Sequence, residues 1–447
     1  MERKWEQMTP DEKKQTLFDR WLSPPGAKFV SSGAETQYKA RVTRFKDAIE
    51  LKETPDRVPV FPVVGWFPAY YSNQTPYDMM YDPEKLHAAY KKYVLDFSPD
   101  AHLGIMVAPP GKFFEILDYK LYAWPGHGVA RENGYQAIEG EYMTVDEYDA
   151  LINDPSDFFN RVYLPRIFNA LAPLRDLAPV TNILEIYGGF SAVNILPYGL
   201  PPVQSALKAL MEAGAESLKW IGTVAAFEKE MTEQGYPDFF GGGCKAPFDT
   251  LGDTLRGTKG IMTDMYRNPD TLLRALDALT PLMIKMGASA CKANGNPICF
   301  IPLHKGADGF LSDAQFKRFY WPSLKKVLHG LIEEGCIPFP WAEGGYNSRL
   351  EVINDLPKGK TVWGFDATDM AKAKQILGPV ACIGGNISIS LLDVGTIDQV
   401  NDQVKGLVDT CGKGGGFIVM TGAAVDQAKP ENLRAMIEAT RRYGAYR

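Results

Sequence analysis

The chain alternates short apolar runs with longer amphipathic ones, most regularly between Pro297 and Asn386. Pro297–Leu303, Cys336–Trp341, Thr361–Phe365 and Val380–Gly385 read as strands. At or just past their ends stand His304, Glu343, Asp366 and Asn386. Between these runs the period lengthens to that of a helix. After His304, Ser312 is placed to cap a helix whose buried stripe is Phe316, Tyr320, Leu324, Val327 and Leu331, with Gly335 closing it. Parallel strands require crossovers and carry their functional loops at their C-terminal ends. The four polar residues are therefore expected to converge on one mouth.

The same rhythm extends in both directions. Arg57–Val64 reads as a first strand, its prolines suiting a strand start or edge, and Ala101–Val107 as a second. Pro83–Phe97 is an amphipathic helix with proline in its first turn. Pro237–Pro247 reads as a strand running into a glycine turn, and Gly416–Thr421 as the last strand. Helices are expected over Thr250–Arg256, from Pro269 to about 293, and over Ile397–Cys411 and Pro430–Tyr443. Eight strands alternating with helices predict an α/β (β/α)8 TIM barrel over residues 57–447, with a doubly wound sheet as the alternative. Residues 1–56 form an N-terminal helical extension. Residues 108–200 break the rhythm and read as a long insertion after the second strand, a candidate substrate cover. Within it, helices are expected over 145–152 and 155–171 and a loop over 188–202.

Composition narrows the function classes. A net charge of −6 leaves no electrostatic footprint for nucleic acid. No apolar run approaches the ~18 residues of a membrane span, and the N-terminus lacks the apolar core of a signal peptide. A cytoplasmic protein is expected. Six cysteines without a C-x-x-C pair read as reduced, mostly core thiols. No G-x-G-x-x-G or P-loop pattern marks a nucleotide site, and Gly412–Gly416 is a helix-to-strand turn.

Candidate chemistry follows from position. His304, Glu343 and Asp366 bring an imidazole and two carboxylates to the mouth, a set suited to acid–base work or to a zinc ion with an open position. Asn386 ends its strand in the same way. His127 lies between glycines in the insertion, His87 and His329 lie on helices, and His102 lies within a strand. Arg349 faces either the mouth or a neighbouring carboxylate.

Phe310-Leu-Ser312 with Phe316-x-x-Phe-Tyr-Trp-Pro322, Gly384-Gly-Asn386 with Leu392-x-x-Gly395, and Lys429-Pro-Glu-Asn-Leu433 occur in this order. Together they resemble the uroporphyrinogen decarboxylase superfamily, which includes corrinoid-dependent methyltransferases. The resemblance runs from about Pro237 to the end. It implies a TIM barrel with its site at the strand C-termini. The arginine-rich M-R-Q-A-G-R loop of the decarboxylases is replaced by Val63–Ala69, and their aspartate after the second strand meets Ile105–Pro110. The H-x-C and later cysteine that bind zinc in the methyltransferases meet Trp341, Glu343 and Ala423. The resemblance therefore implies a methyltransferase taking a methyl group from a small methoxylated or methylated compound to a corrinoid carried by a partner protein. His304 and Glu343 would hold zinc or act as the acid, Asp366 would join them in catalysis, and Trp66, Phe67, Tyr70, Tyr71, His127, Trp341, Tyr346 and Asn386 would receive the substrate. Decarboxylation or lysis of a non-porphyrin acid and non-catalytic ligand binding are the alternatives, and a homodimer is compatible with either.

Overall fold

The computed structural model describes residues 4–183 and 188–446. Among these the strands are, in chain order, β1 (Val60–Phe61), β2 (Tyr122–Pro125), β3 (Gly128–Val129), β4 (Gln136–Ala137), β5 (Gly242–Gly243), β6 (Ile298–Leu303), β7 (Ile337–Ala342), β8 (Val362–Phe365), β9 (Cys382–Ile387) and β10 (Phe417–Thr421). Seven form one parallel sheet in the order β1-β10-β9-β8-β7-β6-β5. The gap between β5 and β1 is closed by the second predicted strand, which shrinks to a single bridge. His102 pairs in parallel with Asp238, and the Asp100 N–H donates to the Val60 carbonyl at 3.1 Å. The ladder stops there because Gly104 adopts φ +77°, outside strand geometry. Eight positions around a curled parallel sheet make a TIM barrel, as the alternation predicts.

Asp100 fastens the closure. Its buried carboxylate accepts from Arg57 at 2.6 and 2.7 Å, from Arg44 at 2.8 Å and from the Val60 N–H at 2.8 Å. Burial alone would raise its pKa, but the two arginines and the amide outweigh burial and hold it below the usual range.

The inward-facing side chains of the barrel, among them Phe61, Phe239, Ile298, Phe339 and Ile418, form one cluster with Phe18, Trp21, Val42 and Phe45. The latter come from the helices Pro10–Leu22 and Ser32–Glu50 of the N-terminal extension. These helices lie at the N-terminal ends of the strands: Trp21 Nε1 donates to the Asp238 carbonyl at 3.1 Å, and Gly359, just before β8, abuts the Glu50 carbonyl. The extension thus closes the floor and leaves the opposite end for chemistry.

The helices Pro83–Phe97 and Pro430–Tyr443 have the predicted bounds. An additional helix, Gly257–Arg267, precedes Pro269–Asn294. In the insertion β2, β3 and β4 form a small separate sheet. The expected helix over 155–171 is helical only to Ile167, turns extended at Phe168 and resumes as a 3-10 segment, Asn169–Asp176. The expected loop over 188–202 is helical over Gly188–Ile195 and Leu196–Gly199 before the long helix Pro201–Glu233. Its prolines fall in first turns, where no N–H is required, and so read falsely as breakers. Among the described residues no helix is long and apolar enough to cross a membrane.

Candidate active site

The predicted mouth residues emerge from adjacent strands. The Glu343 N–H donates to the Leu303 carbonyl and the Asp366 N–H to the Ala342 carbonyl, each at 3.3 Å, so the ladder carries His304, Glu343 and Asp366 out side by side. His304 Nε2 and Glu343 Oε1 lie 3.6 Å apart. Asp366 turns back, its Oδ2 accepting from the Gly344 N–H at 3.0 Å. Asn386 donates to the Asp366 and Thr368 carbonyls at 2.8 and 2.9 Å. Asp366 and Asn386 therefore hold the loops that present Glu343, while His304 and Glu343 face one another.

The other half of the site comes from the segment after β5. Lys245, Asp249 and Asp253 recur every four residues, with Asp249 and Asp253 on the helical run Pro247–Leu255, and so share one face. Asp253 Oδ2 accepts from His304 Nδ1 at 2.6 Å and from Lys245 at 2.8 Å, while its Oδ1 lies 3.1 Å from the Lys305 ammonium. Asp249, fully buried, accepts from the backbone N–H groups of His304 at 3.1 Å and Lys305 at 3.0 Å and from the Tyr320 hydroxyl at 2.7 Å. Asp249 thus fixes the backbone at the strand end, and Asp253 fixes the ring. Their regular spacing after a glycine turn is the signal that strand-end reading passes over.

These contacts set the charge pattern. Burial disfavours ionisation of Asp253, yet His304 and Lys245 outweigh it and keep the carboxylate well below the usual range. Burial likewise works against an imidazolium at His304, but Asp253 and Glu343 outweigh burial and raise its pKa. Glu343 is pushed up by desolvation in the crowded mouth, against the pull of His304, although half its side chain remains exposed. The result is a row in which Asp253 favours its charged form, His304 is biased toward holding a proton, and Glu343 is biased the same way by desolvation.

The predicted substrate-binding residues divide. Trp66 packs edge-on against Tyr135, and its backbone N–H donates to Asp426 Oδ1 at 2.9 Å. Tyr70 donates to the Glu132 carbonyl at 2.6 Å. Both hold the insertion over the first-strand loop. Trp341 stacks its edge on Phe300 and Phe339 in the barrel core beneath the mouth. Tyr346 is sealed away from the mouth: a Cβ on Gly306 would stand 2.3 Å from its hydroxyl. Phe67 and Tyr71 pack on Phe97, behind the first loop. His127 stacks on Trp124 at the surface of the insertion and meets Glu115 at 2.9 Å. Arg349 is buried, its guanidinium bonded to Asp313 and to the carbonyls of Gly306 and Leu311. An apolar cavity of about 380 Å³ in the insertion is walled by Phe113, Phe168, Tyr122 and Tyr135. The insertion meets the mouth through Glu139, whose carboxylate accepts from the Thr258 N–H at 2.6 Å, while the Thr258 hydroxyl accepts from Lys305 at 2.9 Å.

A resident zinc ion does not fit the mouth residues by themselves. His304 and Glu343 supply two donors, and the only His/Cys/Asp/Glu set of three within ligating reach of one another, among the described residues, lies elsewhere. Zinc sites ordinarily draw at least three ligands from the protein.

The chain belongs to the uroporphyrinogen decarboxylase (URO-D) family, whose model matches residues 205–443, from the long helix through the last. Curated relatives include the uroporphyrinogen decarboxylase of Neisseria gonorrhoeae (strain NCCP11945), 28% identical over 191 residues. That match covers 40% of this chain and 50% of the relative. A second, from Neisseria meningitidis serogroup C (strain 053442), is 27% identical over 200 residues, 42% and 52% of the two chains. The chain thus spans about half the length of the curated relatives it matches. A solved methyltransferase from Methanosarcina mazei superposes with a TM-score of 0.57 at 16% identity, covering 90% of this chain and 98% of that one, and shares the fold.

Proposed function

We propose that the protein is a methyltransferase that removes a methyl group from a small methoxylated compound and delivers it to a reduced corrinoid carried by a partner protein. The observation that carries this reading is the row Asp253–His304–Glu343 at the barrel mouth, bordered by an aromatic-walled insertion. An ether oxygen is a poor leaving group until it gains a proton. His304, held in orientation through Nδ1 by Asp253, would present the Nε2 proton to that oxygen, as a positioned general acid. The C–O electron pair then remains on oxygen and takes the proton, the methyl group passes to the acceptor, and solvent returns a proton to His304 by way of the half-exposed Glu343. The corrinoid supplies the nucleophile. At 3.6 Å from Glu343, His304 Nε2 is beyond hydrogen-bond reach of it and stays uncommitted. The aromatic wall suits an aryl ring.

The test is incubation with a panel of methoxyarenes and reduced corrinoid protein, followed by corrinoid absorbance. A spectral change that depends on His304 supports the reading, and no change across a broad panel would sink it. A second reading is decarboxylation of a non-porphyrin acid. It draws on the names of the curated relatives and on Lys245 and Lys305 as partners for a substrate carboxylate. Carbon dioxide release without a corrinoid would favour it.

A further inference from the structure

At the floor of the barrel lies a second cluster, remote in the fold from the mouth. His102 sits on the bridge that closes the barrel, Asp238 is its partner on that bridge, and Glu228 stands in the last turns of the helix Pro201–Glu233. The Asp238 carbonyl accepts from Trp21 of the floor helix and from Asn296, which precedes β6, and this fixes the cluster at the N-terminal end of the strands. One imidazole nitrogen and one oxygen from each carboxylate all lie within 4.8 Å of one another.

Two features single the trio out from an ordinary polar contact. First, His102 is 2% exposed and its Nε2 has no hydrogen-bond partner, the nearest carboxylate oxygen being Glu228 Oε2 at 3.8 Å. A buried ring nitrogen left unpaired in this way costs free energy that a ligand would recover. Second, neither Glu228 nor Asp238 is paired with a lysine or arginine among the described residues. Both carboxylates are only partly buried, so an incoming ion can reach them. Gly104 leaves the space: a Cβ there would come within 2.8 Å of Glu228 Oε1. A cavity of about 300 Å³, lined by Glu228, Asp238, Tyr38 and Asn296, reaches the carboxylates and supplies a route of entry.

We infer that His102, Glu228 and Asp238 form a binding site for a divalent transition cation of the Zn²⁺ or Co²⁺ type. One imidazole and two carboxylates with a position left for water is a donor set such cations accept. The ring then keeps its proton on Nδ1, where the Gly104 N–H now points at 3.1 Å, so Gly104 must release that contact. The role is structural. The ion would tie the long crossover helix to the two weakest strand positions of the barrel, and conservation of stability rather than chemistry is what the N-terminal face of such a barrel serves.

The test is titration of the metal-free full chain with Co²⁺, read by visible absorption, with Zn²⁺ competition and elemental analysis after dialysis. One equivalent bound at the floor, a raised Tm with metal, and an affinity about 100-fold weaker or more in E228Q support the inference, since even supporting groups carry 10–100-fold. H304Q should bind as the unaltered chain does. Binding that survives E228Q and D238N but is lost in H304Q, or no binding at all by the unaltered chain, overturns it. Because H102A risks the barrel closure, E228Q and D238N carry the test, and their metal-free Tm shows that they fold. An E228Q chain with unchanged metal affinity would likewise overturn the site.

Discussion

Replacing Asp253 by asparagine is the substitution that most directly probes the mouth, because Asp253 raises the His304 pKa through a direct hydrogen bond at the ring nitrogen opposite Glu343. The His304 Nδ1–Asp253 Oδ2 contact is 2.6 Å, in the range of a charge-assisted bond. Bonds to charged groups contribute about 1.5–3 kcal/mol, and about 1.4 kcal/mol corresponds to one pH unit in a titration midpoint. His304 is 36% exposed, so solvent screening discounts this toward the lower end. A fall of about one pH unit in the His304 midpoint is expected. The loss also frees Lys245 and Lys305, 2.8 and 3.1 Å from Asp253, and their unpaired charges push the same way. The measurement is an NMR titration of the imidazole Cε1–H signals, of which the chain has only five, with H304Q assigning the resonance. In the proposed transfer His304 works as an acid, so activity belongs below its folded midpoint and is lost as pH rises through it. D253N should move that alkaline limb to lower pH by the same amount. An unmoved or raised midpoint would refute the assignment of Asp253 as the source of the charge. A moved midpoint with an unmoved activity limb would instead remove His304 from the acid role.

Three further outcomes follow from the contacts. Glu343→Gln should cut turnover by about 10²–10⁴-fold while moving stability by no more than about 0.5 kcal/mol, measured by paired kinetics and urea unfolding, since the side chain is half exposed. Arg349→Met should destabilise by about 1–3 kcal/mol in urea, because it leaves the carbonyls of Gly306 and Leu311 without their buried donor while the exposed Asp313 is taken up by water, and a neutral result would refute a structural role for Arg349. Asp100 is held below its unfolded value of about 3.9, so its contribution is present above that pH and lost as pH falls through the folded value. Asp100→Asn should therefore weaken the chain at neutral pH and flatten the acid limb of stability against pH, read by thermal unfolding from pH 7 to 3.

How much of this was legible in the sequence depends on how strongly each strand is patterned. Strands β6 to β10 are buried on both faces and appear as continuous apolar runs, so their ends, and with them His304 and Glu343, can be read off directly. The second and third positions are held by one bridge and a two-residue ladder, with glycines at 104 and 241–243 in place of apolar side chains. There the period of two never develops, and the residues beyond, Asp249 and Asp253, follow a glycine turn and a helix start rather than standing at the strand end itself. Their carboxylates look like the polar face of a short helix. What distinguishes them is tertiary: the Asp249 carboxylate is buried against the backbone of a loop some fifty residues later, and Asp253 meets a ring from that same loop. Tyr346 fails in the opposite way. It follows a strand end as Glu343 does, but the two intervening glycines let the chain turn inward, and its ring goes under Gly306 instead of into the mouth. Strand-end position therefore selects residues that can reach the mouth. Whether they do is decided by the backbone conformation of the next few residues, and at Gly344, with φ +77°, that conformation separates an exposed glutamate from a buried tyrosine two residues on.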